Sequence, residues 1–263
     1  ATCIALVDVT LTLWFAVSLH GRLTMVRWVP VSSAIVLGNW IPLGMGLLAG
    51  VMLGYRRVAR WRRRSFALIV LLMGWYAMLQ PLTAKPPASH HSWWLADVAK
   101  QSSGASCGPC CAITLLRHCD IPCQEGEMMA LCLTNTKGTS SLGLYRGLKL
   151  KTRGTEWNVE VVSGDIPSLR RSDQWPVLLQ VRCTFARPRG RSPLRRLLDS
   201  RNRHTVVMFR FAENGQAEIA DPANILQERC KWPLGVLKQR WTGEGLRLVK
   251  RPSTVGKPVP PDA

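Results

Sequence analysis

The chain has 263 residues, 35 Lys and Arg against 16 Asp and Glu, and a formal net charge of +19 at pH 7. That length accommodates one ordinary domain plus an appendage. The positive balance favours anionic neighbours such as phospholipid headgroups, and no aromatic-basic pattern of a nucleic-acid module is present, so nucleic acid is not an expected partner.

Residues 1–84 are mostly apolar and hold eight Arg against one acid, Asp8. Three apolar runs stand out: Ile4–Leu19, Val29–Leu53 and Phe66–Ala84. At about 1.5 Å per residue the third reaches roughly 28 Å, close to the hydrocarbon thickness of a bilayer. The first run lacks the basic start and small-residue cleavage site of a signal peptide. These residues therefore predict a membrane-spanning region of two to three helices over 1–84. Between the second and third runs lies YRRVARWRRRS, with six arginines. Short loops rich in Arg stay on the cytoplasmic side, so the third run leads outward and the soluble part after it is expected to be extracytoplasmic. KPPASHH marks a linker over 85–92.

The soluble part begins with chemistry. In QSSGASCGPCCAITLLRHCDI, Gln101 to Ile121, Ser106-Cys107-Gly108-Pro109 reads as a turn feeding a helix whose apolar residues recur at helical spacing. A cysteine at a helix N-terminus feels the positive end of the macrodipole, which favours the thiolate. Gln101, six residues earlier, can bring its amide beside the backbone N–H of Cys107 and form an oxyanion hole. Neither Cys107–Cys110 nor Cys119–Cys123 is followed by a second ligand pair at zinc-finger spacing, so no metal or organic cofactor is expected.

Further on, Thr139–Gly154 predicts a helix with a Ser or Thr N-cap and a terminal glycine. Trp157–Val162 and Trp175–Val181 predict strands. The segment Arg187–Arg203, seven arginines and one acid, reads either as a solvated loop or as a basic flap touching lipid headgroups or an acidic substrate. RHTVVMFRF then predicts a strand opened by His204. A turn at Glu213-Asn214-Gly215 and a second strand, QAEIADP, come next, which would bring Asp221 near His204 to fix its tautomer. Of the other histidines, His118 lies eleven residues along the helix from Cys107, roughly 16 Å away and out of reach. His204 is therefore the candidate base.

These residues resemble the papain-like cysteine peptidases that remove double-glycine leader peptides from bacteriocins. The resemblance covers about residues 93–250. It rests on Gln101, Ser106-Cys107-Gly108-Pro109, His204-Thr205-Val206-Val207, Asp221-Pro222 and the closing Trp232–Gly245 stretch. Cys110 and Cys111 stand where that family has small residues of the alanine type. The resemblance implies an α+β fold: a helical part carrying the cysteine and an antiparallel sheet carrying His and Asp, here preceded by transmembrane helices. It further implies a polypeptide substrate, and the apolar runs make the chain an expected multi-pass protein of the bacterial inner membrane. No ATP-binding cassette follows in these residues, so an exporter would be a separate partner. Residues 251–263 read as a flexible tail. The same triad could serve amidase or transpeptidase acyl transfer, and a peptide-binding module without turnover is a rival of another class. With the domain outside, some of Cys119, Cys123, Cys132 and Cys230 are expected to be disulfide-bonded, with no pairing chosen.

Overall fold

The structure is a computed structural model that describes residues 2–83, 85–88, 93–171, 174–183 and 203–252. The expected basic flap, Arg203 aside, lies outside these residues, as do four of the eight linker positions and the tail from residue 253. The apolar N-terminal part forms α1 (Thr2–Ser18), the single turn α2 (Ala34–Leu37), α3 (Ile41–Gly54) and α4 (Arg60–Leu79). Ala34–Gly54 and Arg60–Thr83 are long and apolar enough to cross a membrane, with mean hydropathies of 1.7 and 1.6. Only 17% of each stretch is buried inside the protein, whereas a soluble core helix would be mostly covered. Small residues let these helices approach closely: a Cβ on Gly44 would meet Thr12, and one on Gly74 would meet Met45.

The second apolar run is interrupted where a single span was expected. The helix breaks at Gly38-Asn39-Trp40, ahead of Pro42, whose missing N–H is harmless in a first turn. Asn39 staples the break. Its Oδ1 accepts from Ile41 N at 3.3 Å, and its Nδ2 donates to the Ala77 carbonyl of α4 at 3.0 Å. Upstream of the break the chain folds back on the soluble domain. The 3₁₀ turn Leu23–Arg27 and α2 bury Leu23, Val26, Ala34 and Ile35 in that domain's core.

The soluble domain opens with the hairpin β1 (Trp93–Leu95) and β2 (Val98–Lys100), then runs through three helices, α5 (Cys107–Arg117), α6 (Glu125–Leu131) and α7 (Ser141–Lys151). The remainder is β3 (Trp157–Ser163), the short α8 (Ile166–Arg170), β4 (Val177–Arg182), β5 (Arg203–Phe211), β6 (Ala217–Ala220), β7 (Cys230–Trp232), α9 (Leu234–Arg240) and β8 (Trp241–Lys250). Six of the strands make one antiparallel sheet in the order β3-β8-β4-β5-β6-β7. This is the α+β arrangement that the sequence predicts, with cysteine on a helix and His and Asp on an antiparallel sheet. The expected α7 is present and capped as its sequence requires: Ser140 Oγ accepts from Gly143 N at 3.0 Å, and Gly154 takes the left-handed φ of +77° beyond its end.

Alternation along the strands serves two apolar cores. Leu178, Val207, Phe209, Leu246 and Leu248 face α5 and α7, while Leu179, Val206, Met208 and Ile219 join Leu169 of α8 and Leu237 of α9 on the other side. Helices α6 and α7 cross at glycine. A Cβ on Gly143 would lie 2.3 Å from the Cys132 carbonyl oxygen, and one on Gly147 would lie 2.3 Å from Cys132 Sγ. A backbone oxygen cannot rotate away, so Gly143→Ala should destabilise the domain by about 1–3 kcal/mol, the usual cost of overpacking. The measurement is the urea midpoint; an unchanged midpoint would contradict this account of the crossing.

Candidate active site

Helix α5 is buried along its whole apolar length, from Gly108 to Leu116. It is aimed by its first turn. Cys110 N donates to the Ser106 carbonyl at 3.0 Å, Ser106 Oγ donates to the Ser103 carbonyl at 2.9 Å, and Ser102 N donates to Glu125 Oε1 at 3.0 Å. Gly108 leaves room for Leu144 of α7, which a Cβ would meet at 2.9 Å. Cys107 is thus the first residue of a fixed helix, at the end where the dipole and free N–H groups favour an anion.

The sheet supplies the partners. Cys111 Sγ donates to the Thr205 carbonyl at 3.2 Å, which fixes α5 against β5 one residue beyond His204. His204 pairs with Val181 of β4 in the ladder. Asp221 comes directly after β6, and its Oδ1 lies 2.7 Å from His204 Nε2. The same Oδ1 accepts from Ala223 N at 2.9 Å. With Nε2 engaged by Asp221, the ring's other nitrogen is the one left for Cys107, to which His204 is hydrogen-bonded.

Electrostatics reflect this chain of contacts. Burial alone would raise the Cys107 pKa, but the hydrogen bond and charge of His204, with help from the Thr205 and Gly108 backbone, bring it below the usual thiol value. Burial would lower the His204 pKa, yet its bonds to Asp221 and Cys107 outweigh that and push it up to about 10. Burial also opposes the Asp221 carboxylate, and the His204 hydrogen bond and charge more than offset it, holding the pKa low. The favoured state is a thiolate–imidazolium pair oriented by a carboxylate.

The structure brings Cys107, His204 and Asp221 into one hydrogen-bonded line. Gln101 comes directly after β2; its N–H donates to the Pro222 carbonyl at 3.1 Å, and its Oε1 is buried without a partner among the described residues. His118 is elsewhere, 3.1 Å from Asp97 and edge-on to Phe209. The expected disulfides are absent: all nine cysteines, each among the described residues, are free. Cys132 is buried beside Met128 in one core, while Cys230 bonds the Ile219 carbonyl beside the other. Among the described residues, no group of three or more His, Cys, Asp or Glu could hold a metal ion.

One residue of the site gave no signal in the sequence. Lys100, immediately before Gln101, is wholly buried. Its Nζ donates to the Gln227 carbonyl at 2.7 Å and to the Asp221 carbonyl at 3.2 Å, tying β2 to the loop that presents the carboxylate. A lysine ahead of a motif ordinarily reads as a surface residue; only the fold reveals its partners.

No family model matches the chain. Among curated proteins it is 36% identical over 75 residues to an uncharacterized protein of Methanothermobacter marburgensis, which covers 28% of this chain. The chain spans about half the length of that relative. Among solved structures it is similar to the peptidase domain of Streptococcus ComA, a bi-functional ABC transporter involved in a quorum-sensing pathway. There the identity is 18%, the TM-score 0.46, and the coverage 62% of this chain and 100% of that one. It is also similar to a double-glycine-motif protease from an AMS/PCAT transporter in complex with a leader peptide. In that case the identity is 17%, the TM-score 0.46, and the coverage 64% and 94%.

The geometry sets two expected outcomes. Lys100→Met should lower kcat about tenfold with little change in KM, because it strands two buried carbonyls and loosens Asp221; unchanged kcat would remove Lys100 from the site. The pH dependence should separate the two ionised groups. Alkylation of Cys107 falls as pH drops through its depressed pKa and stays high above about pH 10, since the thiolate persists there. With His204 as the acid, turnover should fall at both ends, the alkaline limb lying near 10, where His204 loses its proton. Turnover that persists well above that limb would count against His204 as the acid.

Proposed function

We propose that the chain is a membrane-anchored cysteine peptidase. The observation that carries this is the hydrogen-bonded line Cys107–His204–Asp221, with the thiol at a helix N-terminus and its pKa lowered by the imidazolium. Cys107 Sγ attacks the scissile carbonyl carbon. The oxyanion that forms is held by the Cys107 N–H and the Gln101 side-chain amide. His204 passes its proton to the leaving amine, then takes one from the water that hydrolyses the thioester. Asp221 keeps the ring oriented and stabilises its charge.

The substrate is a polypeptide that is exported or tethered to the membrane. The resemblance carried by Gln101, Cys107-Gly108-Pro109 and His204 through Asp221-Pro222 supports a leader of the double-glycine type. Two features support the membrane placement. Helices α3 and α4 form a hairpin whose tip carries the six arginines, where Arg63 Nη1 donates to the Leu53 carbonyl at 2.8 Å. At the opposite end, Asn39 bonds Ala77, and residues 23–37 pack on the peptidase domain. With the arginines at the cytoplasmic face, the domain sits outside, where an exported polypeptide would meet it.

Three substitutions test the chemistry on a peptide substrate. Cys107→Ala should abolish turnover and leave the unfolding midpoint nearly unchanged. His204→Ala should cost more than Asp221→Asn, which misorients the base without removing it. Residual activity in Cys107→Ala equal to that of the native chain would end the peptidase reading. For orientation, a reporter that works only outside the cytoplasm should be active when fused after Ala263; activity of a cytoplasm-only reporter at that position would reverse the topology.

A further inference from the structure

The helix that carries the proposed nucleophile carries a second thiol with a base of its own. Cys107 and Cys110 form a Cys-X-X-Cys pair in the first turn of α5, the setting in which dithiols exchange with disulfides. Ideal helix geometry places their Cα atoms about 5.1 Å apart, inside the roughly 4.4–6.8 Å range that a disulfide spans. Few intrahelical bonds hold this end of the helix. N–H groups in a first turn have no intrahelical acceptor, and Pro109 has no N–H at all.

Cys110 is completely buried and hydrogen-bonded to the carboxylate of Glu125, itself completely buried at the start of α6. A buried thiol cannot attack as a neutral group. Burial and then the nearby Glu125 charge hold the Cys110 pKa well above the usual thiol range, so Cys110 reacts only if a neighbour accepts its proton during the attack. Glu125 is that neighbour. Cys111 has no such partner: its Sγ bonds the Thr205 carbonyl, which cannot take a proton. Its Cα lies about 6.2 Å from that of Cys107 in an ideal helix, the longer reach of the two.

We propose that Cys107 and Cys110 are a reversible redox site, which a low-molecular-weight disulfide oxidises to an intrahelical disulfide that shuts off the nucleophile, with Glu125 as the base for Cys110. The Cys107 thiolate attacks one sulfur of the small disulfide, forming a mixed disulfide and expelling one thiolate. Cys110 gives its proton to Glu125 and attacks Cys107 Sγ. The second small thiolate leaves and takes up that proton. Two electrons pass from the protein dithiol to the small disulfide, yielding one small thiolate and one small thiol. A reducing thiol reverses both steps. The loss of peptidase activity rests on the role proposed for Cys107; disulfide formation itself does not.

The test uses the full-length chain in detergent micelles, exposed to oxidised glutathione, with free thiols blocked and the peptides mapped by mass. The expected product joins Cys107 to Cys110 with the loss of two hydrogens, and alkylation of Cys107 falls at least tenfold until dithiothreitol restores it. Cys110→Ala should stop at the mixed disulfide, with one glutathionyl group on Cys107. Cys111→Ala should still join Cys107 to Cys110. Glu125→Gln should accumulate the mixed disulfide at least tenfold over the native chain. A native chain that stops at the mixed disulfide, or one that joins Cys107 to Cys111, overturns the proposal. If the expected disulfide forms in a chain that cleaves no peptide, the redox site stands and the peptidase reading falls. Cleavage without the disulfide gives the reverse.

Discussion

The site depends on one packing contact: α5 lying across β5. Every residue of the helix from Gly108 to Leu116 is buried, and the Cys111–Thr205 hydrogen bond sets its height on the strand. Burial of that face contributes about 2 kcal/mol for each large aliphatic side chain, so Ile113, Leu115 and Leu116 together outweigh a single hydrogen bond within the site. The chemistry therefore stands on a scaffold that does not depend on it. Removing the thiol or the imidazole leaves the helix where it is. Shifting the helix by an ångström would separate them, and small misplacements cost catalysis heavily.

Around that contact the site is closed by hydrogen bonds among three distant stretches. Gln101 bonds the Pro222 carbonyl, Lys100 bonds the carbonyls of Asp221 and Gln227, and Ser102 bonds Glu125. The end of β2 thus positions two things together, the amide proposed for the oxyanion and the carboxylate that orients His204. A buried ammonium is costly unless its donors are satisfied. Two carbonyls and the charge of Asp221 offset that cost here, although burial still lowers the Lys100 pKa. Such a residue couples the two halves of the site, so a strain on one is felt by the other.

Much of this was readable from the chain. The glycine-proline turn before an apolar helix placed Cys107, and the β-branched run placed His204 and, one hairpin later, Asp221. These motifs are local, and local signals survive without tertiary knowledge. What stayed hidden was non-local. Lys100 looks like a surface residue until the loop at 221–227 folds over it. The second apolar run looked continuous because Ala34 and Ile35 are as apolar as a membrane span; their partner α7 is more than a hundred residues away. The expected disulfides were inferred from cysteine density, a property of composition. Composition says nothing about distance, and the burial of Cys132 by Met128 and Gly147 shows that such a cysteine can serve simply as a small apolar side chain.

The same physical features that suit Cys107 to the nucleophile's role proposed for it also expose it to oxidation. A helix N-terminus and an imidazolium lower its pKa, and a thiolate is the form that attacks both carbonyl carbon and disulfide sulfur. A lone thiolate would stay trapped as a mixed disulfide until an outside thiol released it. A second thiol one helical turn away, with a carboxylate to take its proton, turns that trapped state into an intramolecular bond that a reductant opens cleanly. Cys110 fills core volume at this position, and its hydrogen bond to a buried glutamate also gives its sulfur a proton acceptor.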